Sequence, residues 1–174
     1  MTKTYTIKKG NHYSGLHIGI NWKMELSFSA ILDDSCIYDL NDPGQQTEIN
    51  KLYGFSLGYH HNNSMRIGWR WNVTNKNFEI LPYIYRDGTR LLEWSENNKY
   101  STLITVQPGE KFYCLLELVN GQYHILAYKN PAEIHEIYTP GPKKPFKLGY
   151  YLHPYFGGVP VDPDTRDMKI TIER

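Results

Sequence analysis

Met65-Arg-Ile-Gly-Trp-Arg-Trp71 and Phe78-Glu-Ile-Leu-Pro-Tyr-Ile-Tyr85 decide the fold. In the first stretch Met65, Ile67, Trp69 and Trp71 alternate with Arg66, Gly68 and Arg70. In the second, Phe78, Ile80 and Ile84 alternate with Glu79, Tyr83 and Tyr85. Successive side chains of a strand point to opposite faces, so a period of two marks an element with one apolar and one polar face. Residues 24–32 repeat the pattern with Met24, Leu26, Phe28, Ala30 and Leu32. No window carries the i, i+3, i+4, i+7 stripe of an amphipathic helix.

Working outward, strands are predicted at 5–8, 51–59, 90–94, 101–106, 111–119, 122–128, 134–138, 147–155 and 167–173, about a dozen in all. Asp87-Gly88 and Asn120-Gly121 are dipeptides that accept positive φ in tight hairpins. Pro108-Gly109, Pro140-Gly-Pro142, Pro160-Val-Asp-Pro163 and Asn41-Asp-Pro-Gly-Gln-Gln46 mark longer loops. None has the length of a domain linker, and no fixed-period repeat is present. The 174 residues are therefore read as one domain, 1–174. Short strands with one apolar face each must bring those faces together. Two packed antiparallel sheets do so, and a closed barrel is the competing solution.

The C-terminal part, Gly149-Tyr-Tyr-Leu-His-Pro-Tyr-Phe-Gly-Gly158, followed by a Pro/Asp loop and the alternating Asp167-Met-Lys-Ile-Thr-Ile-Glu173, resembles the concanavalin A-like superfamily of lectins, glucanases and polysaccharide lyases. The general layout of the chain resembles it too. The resemblance implies an all-β, two-sheet antiparallel jelly-roll sandwich and a carbohydrate-related role.

Composition narrows the partners. Nineteen Lys and Arg against 18 Asp and Glu leave a formal net charge of +1, with no basic run. Nucleic acid or an anionic membrane surface therefore has no electrostatic support. Apolar runs fall far short of the roughly 20 residues that span a bilayer, so no membrane insertion is expected, and no signal peptide is visible. The compartment stays open. Fifteen Tyr are the outstanding feature, and an amphipathic ring in excess favours wet binding faces. Cys36 and Cys114 lie in no metal-binding spacing, and Cys114 alternates with Phe112, Leu116 and Leu118 as a buried small hydrophobe. Whether the two pair depends on the fold.

If Trp69 and Trp71 face the core, Arg66 and Arg70 face outward, and Tyr83 and Tyr85 lie opposite Ile80 and Ile84. These four are expected to share a solvent-facing surface, with His60 at its edge and Gly54, Ser56, Gly58 and Gly68 beneath a shallow groove. Flat rings stack on sugar faces, and Arg forks bind hydroxyls or carboxylates. The alternative is a polar outer face in which Arg stems merely cover Tyr rings. Tyr151, His153 and Tyr155 form a second candidate strand for ligand contact. No catalytic residue is assigned, because no Glu-x-Asp-x-x-Glu pattern or lyase strand motif is found. No cofactor is expected. Calcium is the one ion left open, at Asp162, Asp164 and Asp167, with Asp33-Asp34 and Asp39 with Asp42 as a looser acidic cluster.

The function that follows is a non-catalytic, lectin-like binding module whose partner is a carbohydrate. The first alternative is a structural or attachment protein of a virion or surface assembly, oligomeric, in which the same face meets another protein. The second is a polysaccharide lyase or hydrolase.

Overall fold

The computed structural model describes residues 1–40, 42–91, 102–144, 148–157 and 166–174. Its strands are β1 (Thr2–Ile7), β2 (Ile20–Asn21), β3 (Glu25–Leu32), β4 (Asn50–Ser56), β5 (Ser64–Asn72), β6 (Asn77–Arg86), β7 (Thr89–Arg90), β8 (Ile104–Val106), β9 (Lys111–Val119), β10 (Gln122–Tyr128), β11 (His135–Pro140), β12 (Gly149–Leu152) and β13 (Met168–Glu173). Among the described residues, helix is confined to one α-turn, α1 (Pro43–Gln46), capped by Asp42, and a 3-10 turn at Asp34–Cys36 capped by Asp33.

Two antiparallel sheets result. One runs β1-β13-β3-β9-β10-β11 and the other β2-β12-β4-β5-β6-β7, with β8 also pairing with β6. Each sheet turns its apolar positions inward. From β5 and β6 come Met65, Ile67, Trp69, Phe78 and Ile80; from the facing sheet come Leu26, Phe28, Phe112, Leu116, Tyr123, Ile125 and Ile170. Trp69 is fully buried and meets Tyr38 and Phe78 edge to face, while Trp71 is 8% exposed. The all-β sandwich expected from alternation is thus the fold. Asp87-Gly88 and Asn120-Gly121 make the predicted hairpin turns, each residue at positive φ.

The differences from expectation are local. Met24 has a φ of +53° and stands outside β3. The strand expected over 51–59 stops at Ser56, because Gly58 turns the chain at a φ of +80°. The one expected over 147–155 is β12 followed by an isolated bridge at Tyr155. Of 90–94, Arg90 pairs in β7, and 92–94 lie outside the described residues. The two-residue β2 is too short for any periodicity to reveal. Cys36 and Cys114 are both buried and both free thiols. Burial pushes the Cys36 thiol up to about 12 and the Cys114 thiol higher still.

Candidate functional site

Strand register sets the outward face of the seven-stranded sheet. Arg66 of β5 lies between Gly54 of β4 and Tyr83 of β6, while Ser64 faces both Ser56 and Tyr85. The Asp87-Gly88 turn brings Arg90 opposite Tyr85, and Lys51 sits opposite Gly68. Arg66 and Tyr83 therefore share one sheet and one face, opposite the Trp residues. Tyr83 is the centre of the group. The Lys51 Nζ lies 5.3 Å from its ring centroid, the Arg66 guanidinium 6.0 Å and the Arg90 guanidinium 5.0 Å. Lys51 also donates to the Gly157 carbonyl at 2.9 Å and lies 5.2 Å from the Tyr155 ring.

Tyr83 departs from the solvent-facing position expected for it. It is only 6% exposed, packed with Ile49 and Leu81 in a small apolar cluster outside the main core, with Tyr85 against its margin. Cation stems roof the ring, as long charged side chains do when they lie along apolar surface. The glycines also have a different cause from the one inferred. A Cβ on Gly54 would stand 2.0 Å from the Met65 carbonyl oxygen and 2.6 Å from the Arg66 Cα, and one on Gly68 would stand 2.2 Å from the Ile49 Cγ2. The chain's own atoms, rather than a ligand, require their absence of a side chain.

No described residue forms an ion pair with the charges at this site. Among the described residues neither the Arg66 nor the Arg90 guanidinium has a hydrogen-bond partner, and the Nε of each is buried. Burial lowers the Lys51 amine to about 8, and the Arg66 and Arg90 charges lower it further. Burial likewise holds Arg66 below its ordinary value, and raises the Tyr83 phenol to about 12. His60 sits in the turn after β4 with its Nδ1 2.7 Å from the Tyr150 hydroxyl; burial, then Arg66 and His61, press its imidazole down to about 4. It is neutral at pH 7. Tyr85, Tyr150 and Tyr155, none of them buried, border the group.

Not every expected residue joins. Arg70 lies on the same face two same-face positions further along β5, past Gly68, about 13 Å from Arg66 by strand rise. There it pairs with Glu79 at 2.5 Å and donates to the Thr47 carbonyl, beside a cleft of ≈ 500 Å³ lined by Asp39, Gln46, Trp71 and Val73. Tyr151 and His153 turn the other way, to the margin between the sheets. Arg174 bonds the Tyr151 hydroxyl at 2.7 Å and the Tyr53 hydroxyl at 3.2 Å, and lies 4.0 Å from the Tyr151 ring. The His153 ring stacks on His17 and meets Tyr5 and Tyr53, and burial, then His17, Lys3 and Arg174, lower it to about 4.

Asp162 and Asp164 lie outside the described residues. Asp167 is held by Lys8 at 2.7 Å and by the Lys9 amide at 2.9 Å, which keeps its carboxyl below the usual range. Among the described residues no group of three His, Cys, Asp or Glu could hold a metal ion.

Sequence reasoning missed Lys51 and Arg90. Counting by twos from Gly54 places Lys51 on the core face with Tyr53 and Phe55, but a bulge between Lys51 and Tyr53 shifts it outward. Nothing in the residues announced that bulge. Arg90 was within reach, since a two-residue turn at Asp87-Gly88 pairs Arg86 with Thr89 and then Tyr85 with Arg90.

No protein-family model and no curated protein sequence matches the chain. Solved structures do. An alginate lyase from Klebsiella pneumoniae is similar at a TM-score of 0.55 and 12% identity over 86% of this chain and 57% of that one. A functionally unknown protein from Saccharomyces cerevisiae is similar at 0.54 and 9% identity over 99% and 85%. A Pseudomonas aeruginosa alginate lyase is similar at 0.53 and 7% identity over 97% and 65%. The chain thus spans 57% and 65% of the length of the two lyases. These likenesses support the class of fold, an antiparallel β-sandwich of the jelly-roll type, and at such identities they concern the fold alone.

Proposed function

We propose that this domain is a non-catalytic carbohydrate-binding module that holds a glycan against the outward face of the seven-stranded sheet. The observation that carries the reading is the assembly of Lys51, Arg66 and Arg90 around Tyr83, bordered by Tyr85, Tyr150 and Tyr155. Guanidinium groups with no hydrogen-bond partner among the described residues offer hydrogen bonds to sugar oxygens, and the bordering rings offer faces for stacking. The likeness of fold to two alginate lyases supports a carbohydrate ligand over other classes.

Titration of the purified chain on a glycan array tests it. A glycan retained by the protein and lost on Arg90→Gln supports the reading; retention unaffected by Arg66→Gln and Arg90→Gln together would move the site elsewhere. Incubation with alginate, followed by absorbance of an unsaturated product, separates binding from cleavage, and a rise in absorbance would replace this reading with a lyase.

A second reading rests on a separate observation. Leu16, Ile18, Ile20 and Trp22 are exposed in alternation beside the edge strand β2. Such an apolar row is the kind of surface another protein covers in an assembly. A discrete oligomer in sedimentation, dissociated by Ile18→Lys, would favour it.

A further inference from the structure

Resting on the glycan-binding reading and deepening it, we propose that the ligand is acidic: a sugar bearing a carboxylate, which sits between Lys51, Arg66 and Arg90 above Tyr83. The chain as a whole is nearly neutral, at +1, so three cations converging on one ring are a local concentration and no reflection of composition. Like charges at such spacing oppose one another in a partly dry setting. Proteins ordinarily offset this with acids, and the other outward cation on this face shows it, since Arg70 is paired with Glu79. No ion pair reaches Lys51, Arg66 or Arg90 from the described residues. Glu48 acts on Lys51 only as the weakest of four influences. Tyr83 supplies a cation–π partner, which one ring cannot provide in full to three cations.

A carboxylate would supply what the described residues do not. Its two oxygens accept from a guanidinium fork in parallel, and it neutralises part of the repulsion. It also explains a group held in tension: Lys51 is desolvated and faces two other cations, so an arriving anion restores its preference for the proton. Binding above pH 8 must then draw a proton from solution. A neutral sugar predicts none of this.

The test is calorimetric titration of the whole chain with tetrasaccharides of linked uronic acids and with the same oligosaccharides after reduction of their carboxyl groups. The acidic forms should bind, and reduction should weaken them by at least about tenfold, the scale expected when one partner of a close charge pair is lost. Affinity should fall with added salt. At pH 8.5 the apparent heat should vary with the ionisation enthalpy of the buffer, as proton uptake requires, and Lys51→Met should remove that variation. Arg66→Lys, which keeps the charge, should retain more affinity than Arg66→Gln, and Lys111→Gln on the other sheet should change nothing. Thermal unfolding of each variant separates loss of fold from loss of binding. Equal binding of reduced and acidic forms would overturn the proposal and leave the glycan-binding reading standing. Binding of neither form, nor of any arrayed glycan, would overturn both. Dextran sulfate binding as tightly as the uronates would overturn the assignment to a carboxylate.

Discussion

Lys51 and Tyr155 are joined twice: their backbones exchange hydrogen bonds at 2.8 and 2.9 Å, and the Lys51 ammonium lies 5.2 Å from the Tyr155 ring. The bridge ties the segment after β12 to β4 and fixes the lysine over the outward face. His12 stacks on the far side of this arrangement, 5.2 Å from Tyr155 at an interplanar angle of 7°.

A pH dependence follows from Lys51. Its amine is lowered to about 8 in the fold, against 10.5 as the ordinary value. Between those values the unfolded chain binds the proton and the folded one releases it, so stability rises with pH through this window. The two buried thiols, raised in the fold, act in the opposite sense above about pH 8.5, so the contribution is read as a difference: from pH 7.5 to 9.5 the urea midpoint of the natural chain should rise relative to that of Lys51→Met.

His153 acts on the acid side. Held at about 4 in the fold against 6.5, it stays neutral where the unfolded chain is protonated. Stability should therefore fall as pH drops from about 6.5 toward 4. His60 contributes a slope of the same sign. Denaturation midpoints at pH 7 and 4.5 should lie closer together in His153→Gln than in the natural chain.

The core carries a plainer expectation. Trp69 is fully buried with two edge-to-face neighbours, so Trp69→Ala should cost about 3 to 5 kcal/mol. Trp22, 69% exposed, should tolerate the same change within about 0.5 kcal/mol. Equilibrium unfolding of the two variants makes the comparison.

Gly54 and Gly68 should differ. The methyl of Gly54→Ala meets backbone at 2.0 Å, whereas that of Gly68→Ala meets the Ile49 side chain at 2.2 Å and backbone no nearer than the Asn50 carbonyl oxygen at 3.2 Å. Backbone cannot step aside as a side chain can. Gly54→Ala should therefore exceed the roughly 1–3 kcal/mol usual for overpacking, with Gly68→Ala inside it. Thermal shifts of both variants would read the order.

The sandwich was legible because alternation is a property of neighbouring residues. The residues of 65–71 and 78–84 specify which side is buried before any partner strand is known. What stayed hidden depends on contacts between distant parts of the chain. The bulge at Lys51 and Tyr53 has no local mark, and it alone moves Lys51 to the outward face. The burial of Tyr83 requires Ile49, Lys51, Arg66 and Arg90 to converge from four places. Arg70 was placed on the correct face, but its capture by Glu79 depends on a register that alternation does not supply.

The pairing of β1 with β13 bears on how the molecule is made. Thr2 lies opposite Glu173, and Ile7 opposite Met168. Strand β13 in turn separates β1 from β3, so the first strand cannot reach its place in the sheet until residues near 173 have left the ribosome. A nascent chain must therefore carry β1 without this partner strand until β13 has emerged. Closure at so large a sequence separation is slow for entropic reasons, which makes this edge a late event in folding and leaves the β3 edge that β13 will cover unpaired in the interval.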